Sequence, residues 1–295
     1  MRSNPFKRTI LITFTLIIVL VITYYGYNSY KQGVEWARLK EAVYQETEKF
    51  GLTPYIVIKD LKRGWHIDIN EDIKVPSASI VKVPIMACCF YAASKGRISL
   101  DDQLSLSSKD KVGGSGILKN KRSGTKIPVS ELIELMIARS DNTAANMLIN
   151  LLGFDYLNEQ FKRIGLKDTN LSRLMMDMGS RDNGIENYTS AKDMALVFEK
   201  IYKRRLFSKG ISLKCLEMLK KVKSKDRIPA KLPKKTTIAH KTGLEKSVCH
   251  DVGIVFTENG DFLICALTSH KNRNSWPSKL FISKVARLTY EHFQE

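Results

Sequence analysis

Three short groups of residues carry side chains from which chemistry can be built: Ser79-Ile80-Val81-Lys82, Ser140-Asp141-Asn142 and Lys241-Thr242-Gly243. A serine hydroxyl is a poor nucleophile until a neighbouring base takes its proton. Ser79 precedes Val83, Ile85 and Met86, so it sits at the start of a buried helix, where residues three apart share one face. The spacing sets the Lys82 amine beside the Ser79 hydroxyl, and the helix N-terminus favours developing negative charge. The bland alternative is a capping serine. Pro84 falls early enough to be tolerated, at the cost of a distorted first turn. A second Ser-x-x-Lys, Ser123 to Lys126, lies among Arg122, Gly124 and Pro128 and reads as a loop.

The other two groups are also ambiguous alone. Ser140-Asp141-Asn142 closes the apolar run Leu135-Met136-Ile137 and opens another with Ala144, Ala145, Met147 and Leu148, where all three residues serve well as caps. Lys241-Thr242-Gly243 lies in a strand. Glycine weakens strand pairing and often marks the close approach of another backbone, such as that of a substrate.

The elements that must position these groups follow from periodicity. Trp36, Leu39, Val43 and Phe50 recur at helical spacing, and Gly51 ends that run. Strands are predicted over 55–59 and 65–69, with Lys62-Arg63-Gly64 as the turn between them. From Ser79 to about Arg205 the pattern is mostly helical, and Gly113-Gly114-Ser115-Gly116 and Gly124 mark loops. Strands return at 237–244, 252–256 and 262–267, and Pro277 opens a last helix with Phe281, Val285 and Leu288 on one face. Strands at both ends of a helical middle predict an α+β domain, an antiparallel sheet covered by terminal helices.

In this order the three groups resemble the signature of class A β-lactamases and penicillin-binding proteins. Asn142-Thr143-Ala144-Ala145-Asn146 and His240 before Lys241 are similar to family sequences, and the resemblance runs from about Trp36 to the C-terminus. It implies the β-lactamase/D,D-peptidase-like fold, with an α/β lobe over about 36–75 and 228–295, an inserted all-helical lobe over about 76–227, and the active site between them. It also implies the roles. Ser79 is the acylated nucleophile, Lys82 its base, and Ser140 relays a proton to the leaving nitrogen. Asn142 holds Lys82 and the substrate amide, and Asp141 is structural. Lys241 and Thr242 take the substrate carboxylate along the strand edge with Gly243, and the N–H groups of Ser79 and Leu244 form the oxyanion hole.

One part of the pattern departs. The family's R-x-E-x-x-x-N loop, whose Glu and Asn hold the hydrolytic water, is matched here by Arg173 with Met175 and Gly179 at the Glu and Asn positions, ahead of Thr189-Ser190. Asp177 and Glu186 are the carboxylates that could stand in. Loss of a general base typically forfeits about 10²–10⁴ in rate, or about 3–5 kcal/mol of barrier. The resemblance therefore implies a serine hydrolase acting on β-lactams, slow in deacylation. The alternatives are a D-Ala-D-Ala carboxypeptidase or transpeptidase acting on peptidoglycan, and a non-catalytic β-lactam sensor. No signalling module is visible beside the domain to support the sensor.

Bulk properties set the context. Arg2, Lys7 and Arg8 precede a stretch without charge from Thr9 to Tyr30. As a helix it would be about 33 Å long, close to the ~30 Å hydrocarbon core of a bilayer. The expectation is a tail over 1–8, an uncleaved single-pass anchor over 9–30 and a catalytic domain over 31–295, held outside the bacterial cell membrane by the basic flank. A cleaved signal peptide would instead leave the domain secreted. Five cysteines show no framework spacing and read as buried apolar residues. The five histidines contain no H-x-H or H-x-x-x-H pair, so no metal or other cofactor is expected. Of the net +18 charge, 48 Lys and Arg against 30 acids, much lies over 200–246, where sixteen bases face three acids. For an exported domain the partners are anionic lipid or cell-wall polymer rather than nucleic acid, unless the bases merely form a solvated face.

Overall fold

The structure, a computed structural model, describes residues 5–271 and 274–294. Two units are distinguished, one ending at Gln45 and one running from Glu46 onward. A single helix, α1 (Pro5–Phe50), contains both the uncharged stretch and the Trp36–Phe50 repeat. Its apolar part is long and apolar enough to cross a membrane. Of the predicted tail, residues 1–4 lie outside the described residues. Gly51 follows at φ +58°, the left-handed conformation that ends a helix.

The hairpin of β1 (Thr53–Asp60) and β2 (His66–Ile69) comes next, close to its predicted bounds. A short strand β3 (Val75–Pro76) leads to a 3₁₀ turn, Ala78–Val81, and then to α2 (Lys82–Ser94). Strands β4 (Gln103–Ser105) and β5 (Lys126–Pro128) pair with each other ahead of α3 (Val129–Ala138), α4 (Asn142–Leu152), α5 (Phe154–Ile164) and α6 (Met178–Asp182). Strand β6 (Tyr188–Thr189) pairs back to β3, and α7 (Ala191–Tyr202) and α8 (Lys209–Lys220) complete the helical middle. Strands β7 (Ile238–Glu245), β8 (Val248–Val255) and β9 (Phe262–Ser269) precede the final helix, α9 (Trp276–His292), with Pro277 in its first turn.

The main sheet is antiparallel in the order β2-β1-β9-β8-β7. This is the α+β architecture expected from the strand and helix pattern. The central strands β8 and β9 are buried on both faces, so they read as near-continuous apolar runs rather than alternating ones. Helix α2 is the hub of the helical part: every residue from Val83 to Cys89 is fully buried. All five cysteines are free and buried, packing as small apolar side chains.

β7 is an edge strand, and it carries the Lys241 group. Its neighbour β8 is tied to the segment before Ser79 by the fully buried His250. His250 Nε2 donates to the carbonyl of Pro76 at 2.8 Å, and its Nδ1 accepts from the N–H of Thr268 at 3.3 Å. Burial pushes the His250 pKa down to about 4, so the ring is neutral in the folded protein. A histidine depressed from about 6.5 contributes stability that is complete above pH 6.5 and is lost as pH falls through 4. The window is worth roughly 3 kcal/mol. His250→Gln retains a donor and an acceptor without the titration. Urea unfolding at pH 7, 5.5 and 4 should show a shallower loss of stability in that variant than in the wild type. Parallel pH profiles would assign the acid sensitivity elsewhere.

Candidate active site

Ser79 lies in the 3₁₀ turn, with Ala78 before it at φ +45°. The distortion expected from Pro84 is this tighter turn, after which the α-helix begins at Lys82. Lys82 is fully buried and its ammonium runs past the serine. Nζ donates to the Ser140 carbonyl at 2.7 Å, to Asn142 Oδ1 at 2.7 Å and to Ser140 Oγ at 3.4 Å. None of these bonds goes to Ser79 Oγ, so the direct contact expected from spacing is replaced by anchorage to the second motif.

That motif is a kink between α3 and α4. Ser140 takes φ +53°, a conformation uncommon outside glycine. The strained residue presents both its carbonyl and its hydroxyl to Lys82. Asp141 caps α4 by accepting from the N–H of Ala144 at 3.0 Å, and also takes the N–H groups of Ile117 and Leu118 at 2.6 and 2.9 Å. It is therefore structural, joining α4 to the glycine-rich loop. That loop is more than a connector. A Cβ on Gly116 would lie 2.3 Å from the Asp141 carboxyl carbon, and one on Gly114 would lie 2.7 Å from Asn142 Nδ2. Asn142 Nδ2 donates to the Gly113 carbonyl at 3.1 Å, leaving Oδ1 for Lys82.

The third motif faces the other two. Lys241 is fully buried, donating to Ser140 Oγ at 2.9 Å and to the Thr242 carbonyl at 2.8 Å. Two buried lysines thus meet at one hydroxyl. Burial pushes Lys241 down to about 7, with the nearby Arg227 guanidinium acting in the same direction. Burial, then the Lys241 charge, holds Lys82 well below the ordinary lysine value. Gly243 also has a reason within the fold. A Cβ there would sit 3.2–3.3 Å from Ala78 Cβ, Ile80 Cγ2 and His250 Cδ2, so the close neighbour is the turn that carries Ser79.

These groups border a cavity of about 400 Å³ lined by Ser79, Ser115, Ser140, Lys241, Thr242, Leu244 and Arg227 among others. Lys82 and Asn142 lie beneath it through their bonds around Ser140. Arg227 was not singled out from sequence. It is 3% exposed, with Nε donating to Cys249 Sγ at 3.2 Å, NH1 3.5 Å from Asp226, and a place in the cavity wall. Its only signal was one Arg among many bases. Ser123 and Lys126, the competing pair, are exposed residues at the β5 turn.

The loop after Arg173 is built by backbone and charge. The Asn146 side chain accepts from the Met175 N–H at 2.7 Å and donates to the Met175 carbonyl at 3.0 Å. The Met175 side chain is buried. Neither stand-in carboxylate lines the cavity. Asp177 caps α6, accepting from the N–H and hydroxyl of Ser180 at 3.0 and 2.7 Å, and those bonds hold its pKa below the usual value. Glu186 is engaged by Arg173 at 2.6 Å, Arg181 at 3.2 Å and the Asn187 N–H at 2.7 Å. Glu245, at the end of β7, closes the lattice onto Arg173 at 3.2 Å and Arg181 at 2.8 Å. Met176, at φ +65° and 42% exposed, sets its sulfur against Gly114 beside Asn142, a second residue the sequence did not flag.

Residues 37–293 match a family described as a β-lactamase enzyme family. Among curated relatives, β-lactamase VEB-1 of Pseudomonas aeruginosa is 23% identical over 247 residues, covering 77% of this chain and 81% of that protein. A β-lactamase structure from Sphaerobacter thermophilus superposes with a TM-score of 0.80 at 28% identity, covering 88% of this chain and 98% of that one. The structure of PBP-A is similar at a TM-score of 0.80 and 29% identity, covering 87% and 96%. An acyl-enzyme of a PBP-A mutant with penicillin G has the same score and identity.

The packing of Gly116 on Asp141 gives a sharp test. Gly116→Ala would drive a methyl into the carboxylate that holds three backbone N–H groups and precedes Asn142. The variant should lose about 2–3 kcal/mol in urea unfolding and most of its covalent labelling by a fluorescent penicillin. Gly124→Ala, where a Cβ meets nothing within 4 Å, should retain labelling. Equal labelling in both variants would show that the loop does not hold the second motif.

Proposed function

The chain belongs to the β-lactamase enzyme family, and on that premise we propose that it forms an acyl-enzyme at Ser79 and releases it slowly. It is a serine hydrolase of the β-lactamase type. The observation that supports this reading best is the convergence of Lys82 and Lys241 on the Ser140 hydroxyl at the wall of the Ser79 cavity.

The proposed steps follow from the proton inventory. Burial and the cationic neighbour disfavour the charged form of Lys82, and its neutral form accepts the Ser79 proton as Oγ attacks the β-lactam carbonyl. Its Nζ and that of Lys241 both bear on Ser140 Oγ, so the Ser140 proton is free to pass to the departing nitrogen, and Lys82 reprotonates Ser140. The developing oxyanion takes the N–H groups of Ser79 and Leu244. Thr242, Lys241 and the buried Arg227 receive the substrate carboxylate. A bound carboxylate favours the charged form of Lys241 and so raises its pKa.

Deacylation lacks its base. Met175 cannot take a proton from water, Asp177 is spent on a cap, and Glu186 is spent on two arginines. The reading is acylation at ordinary rates with an acyl-enzyme that persists for minutes or longer. The similarity to PBP-A, together with the missing carboxylate, favours one second reading: a D-Ala-D-Ala peptidase whose natural acyl group leaves by transfer or slow hydrolysis. We further propose that residues 9–30 of α1 are an uncleaved anchor and that residues 31–295, with the lobes predicted from sequence, form the catalytic domain on the extracytoplasmic side. Its excess of bases would meet anionic lipid or cell-wall polymer.

Intact-mass analysis after penicillin exposure should show one adduct, absent in Ser79→Ala and present in Ser123→Ala; a surviving adduct in Ser79→Ala would overturn the assignment. Met175→Glu should raise steady-state nitrocefin turnover by about 10²-fold with the acylation burst retained, whereas Asp177→Asn should leave turnover unchanged. Release of D-Ala from a D-Ala-D-Ala peptide faster than nitrocefin turnover would favour the peptidase.

The two lysines predict a pH profile. The acylation rate constant at saturating substrate should rise with pH as Lys82 loses its proton. Acylation efficiency at low substrate should fall above about pH 7, where free-enzyme Lys241 becomes neutral. Lys241→Arg, charged throughout, should abolish that alkaline fall, and Lys82→Ala should abolish acylation. An alkaline limb that survives Lys241→Arg would show that another group binds the carboxylate.

A further inference from the structure

A second cavity, of about 210 Å³, lies toward the far end of α2 from Lys82. Tyr91 is nine residues beyond Lys82, about 14 Å along the helix axis, so this cavity is separate from the catalytic one. Its wall is built by three elements: Tyr91 from α2, Arg163 and Ile164 from the end of α5, and Lys200 with Arg205, Leu206 and Phe207 from the end of α7 and the loop after it. No acidic residue lines it. Tyr91 and Phe207 stack with ring centroids 4.2 Å apart at 14°. The Arg163 guanidinium lies 5.1 Å, and the Lys95 ammonium 5.7 Å, from the centre of the Tyr91 ring.

Fold stability accounts for only part of this. Lys200 donates to the Ile164 carbonyl and so completes the C-terminus of α5, an ordinary place for a cation. Arg163 sits in the last turn of α5, where a cation is also favoured, and Arg205 lies in the loop after α7. Neither forms an ion pair with a described carboxylate, yet they arrive from different elements at one recess. Arg204 and Phe207 adopt φ +58° and +57°, a conformation that costs free energy for such side chains. The loop is held in that shape by Ser212, whose hydroxyl accepts from the Leu206 N–H at 3.0 Å, and by the Ser208 N–H on the Leu206 carbonyl at 2.6 Å. Strain is thus spent to bring Arg205 and Phe207 to the pocket. Guanidinium groups from two elements at a cavity whose lining holds no acid form a phosphate-type anion site. Aromatic rings beside them offer an apolar face to whatever carbon skeleton carries the anion.

We propose that this cavity binds a phosphodiester group of a soluble polyol- or sugar-phosphate chain, with Arg163, Lys200 and Arg205 on the phosphate and Phe207 and Tyr91 against the polyol. It gives a location to the polyanion contact inferred from the bases over 200–246. A recess closed by stacked rings fits one chain unit entering it, whereas a planar bilayer surface is met by a flat basic face. The site stands apart from Ser79 and does not depend on acylation chemistry.

The test uses the full-length chain in phosphatidylcholine nanodiscs, titrated calorimetrically with poly(glycerol phosphate) at fixed ionic strength. The paired variants are Arg163→Gln/Arg205→Gln in the pocket and Lys234→Gln/Lys235→Gln at exposed positions outside it; each pair removes two charges. The pocket pair should weaken binding about tenfold or more, since charge-assisted hydrogen bonds to the anion are lost. The control pair should weaken it by no more than about threefold through general charge. Penicillin acylation rates should be equal in all three proteins, so failure of this site and failure of the Ser79 assignment are read separately. Equal weakening by both pairs would overturn the proposal in favour of diffuse charge. So would binding to phosphatidylglycerol vesicles with no affinity for the soluble chain, which would make the surface a membrane contact.

Discussion

Two buried lysines sharing one hydroxyl is the constraint around which the site is arranged. Lys82 and Lys241 approach Ser140 Oγ at 3.4 and 2.9 Å, and both are fully buried. Two ammonium ions so close in a dry setting disfavour each other's charge, as burial does for each alone. The arrangement is stable because a proton can leave it. Packing therefore disfavours the charged form of both amines, the direction in which a lysine becomes better able to accept a serine proton. On the reading proposed above Lys241 is the cation, and its pKa of about 7 lies close enough to neutrality for an arriving carboxylate to keep it charged.

Holding that pair requires a scaffold of small and strained residues. Ser140 must turn through a left-handed conformation to present carbonyl and hydroxyl together. Asp141 fixes the turn by gathering three N–H groups, and the loop at Gly114 and Gly116 passes too close to the Asn142 and Asp141 side chains to tolerate a Cβ. On the opposite wall, Gly243 lets β7 lie against Ala78 and Ile80, which sets the distance between the nucleophile and the lysine strand. Glycines that look like punctuation in the sequence therefore act as close-packing residues in the fold.

This explains how much was legible beforehand. Hairpin β1–β2, strands β7 and β9 and helices α3, α4 and α9 announce themselves by period and by cap residues, and the three motifs point to one cavity because their order matches a family signature. The reading failed where side-chain reach, not spacing, decides. Lys82 bonds to Asn142, as the family resemblance implied, but its flexible stem carries the amine to the Ser140 carbonyl rather than to the Ser79 hydroxyl that spacing set beside it. Gly243 was matched to a substrate, and its packing against Ala78, Ile80 and His250 gave no signal in the sequence. Arg227 and Met176 gave no signal, since one arginine in a basic tract and one methionine in a loop look like any other. Asp177 and Glu186 were legible as carboxylates, but their caps and ion pairs depend on Ser180, Arg173 and Arg181 being folded around them.

The loop after Arg173 keeps its framework although methionine stands at position 175. Asn146 grips the backbone of Met175 through both its amide nitrogen and oxygen, and that grip is blind to the side chain at position 175. The lattice of Arg173, Glu186, Arg181 and Glu245 fastens the same loop to the end of β7, and β3–β6 pairing with the Ser77 to Asn187 bond fastens it to the segment before Ser79. None of these supports requires a carboxylate facing the acyl group. Replacing one by a buried methionine adds apolar contact and removes the desolvation cost of a buried charge. The loop therefore keeps its supports with methionine at position 175, and on the reading proposed above the lifetime of the acyl-enzyme is a property of that side chain rather than of the fold.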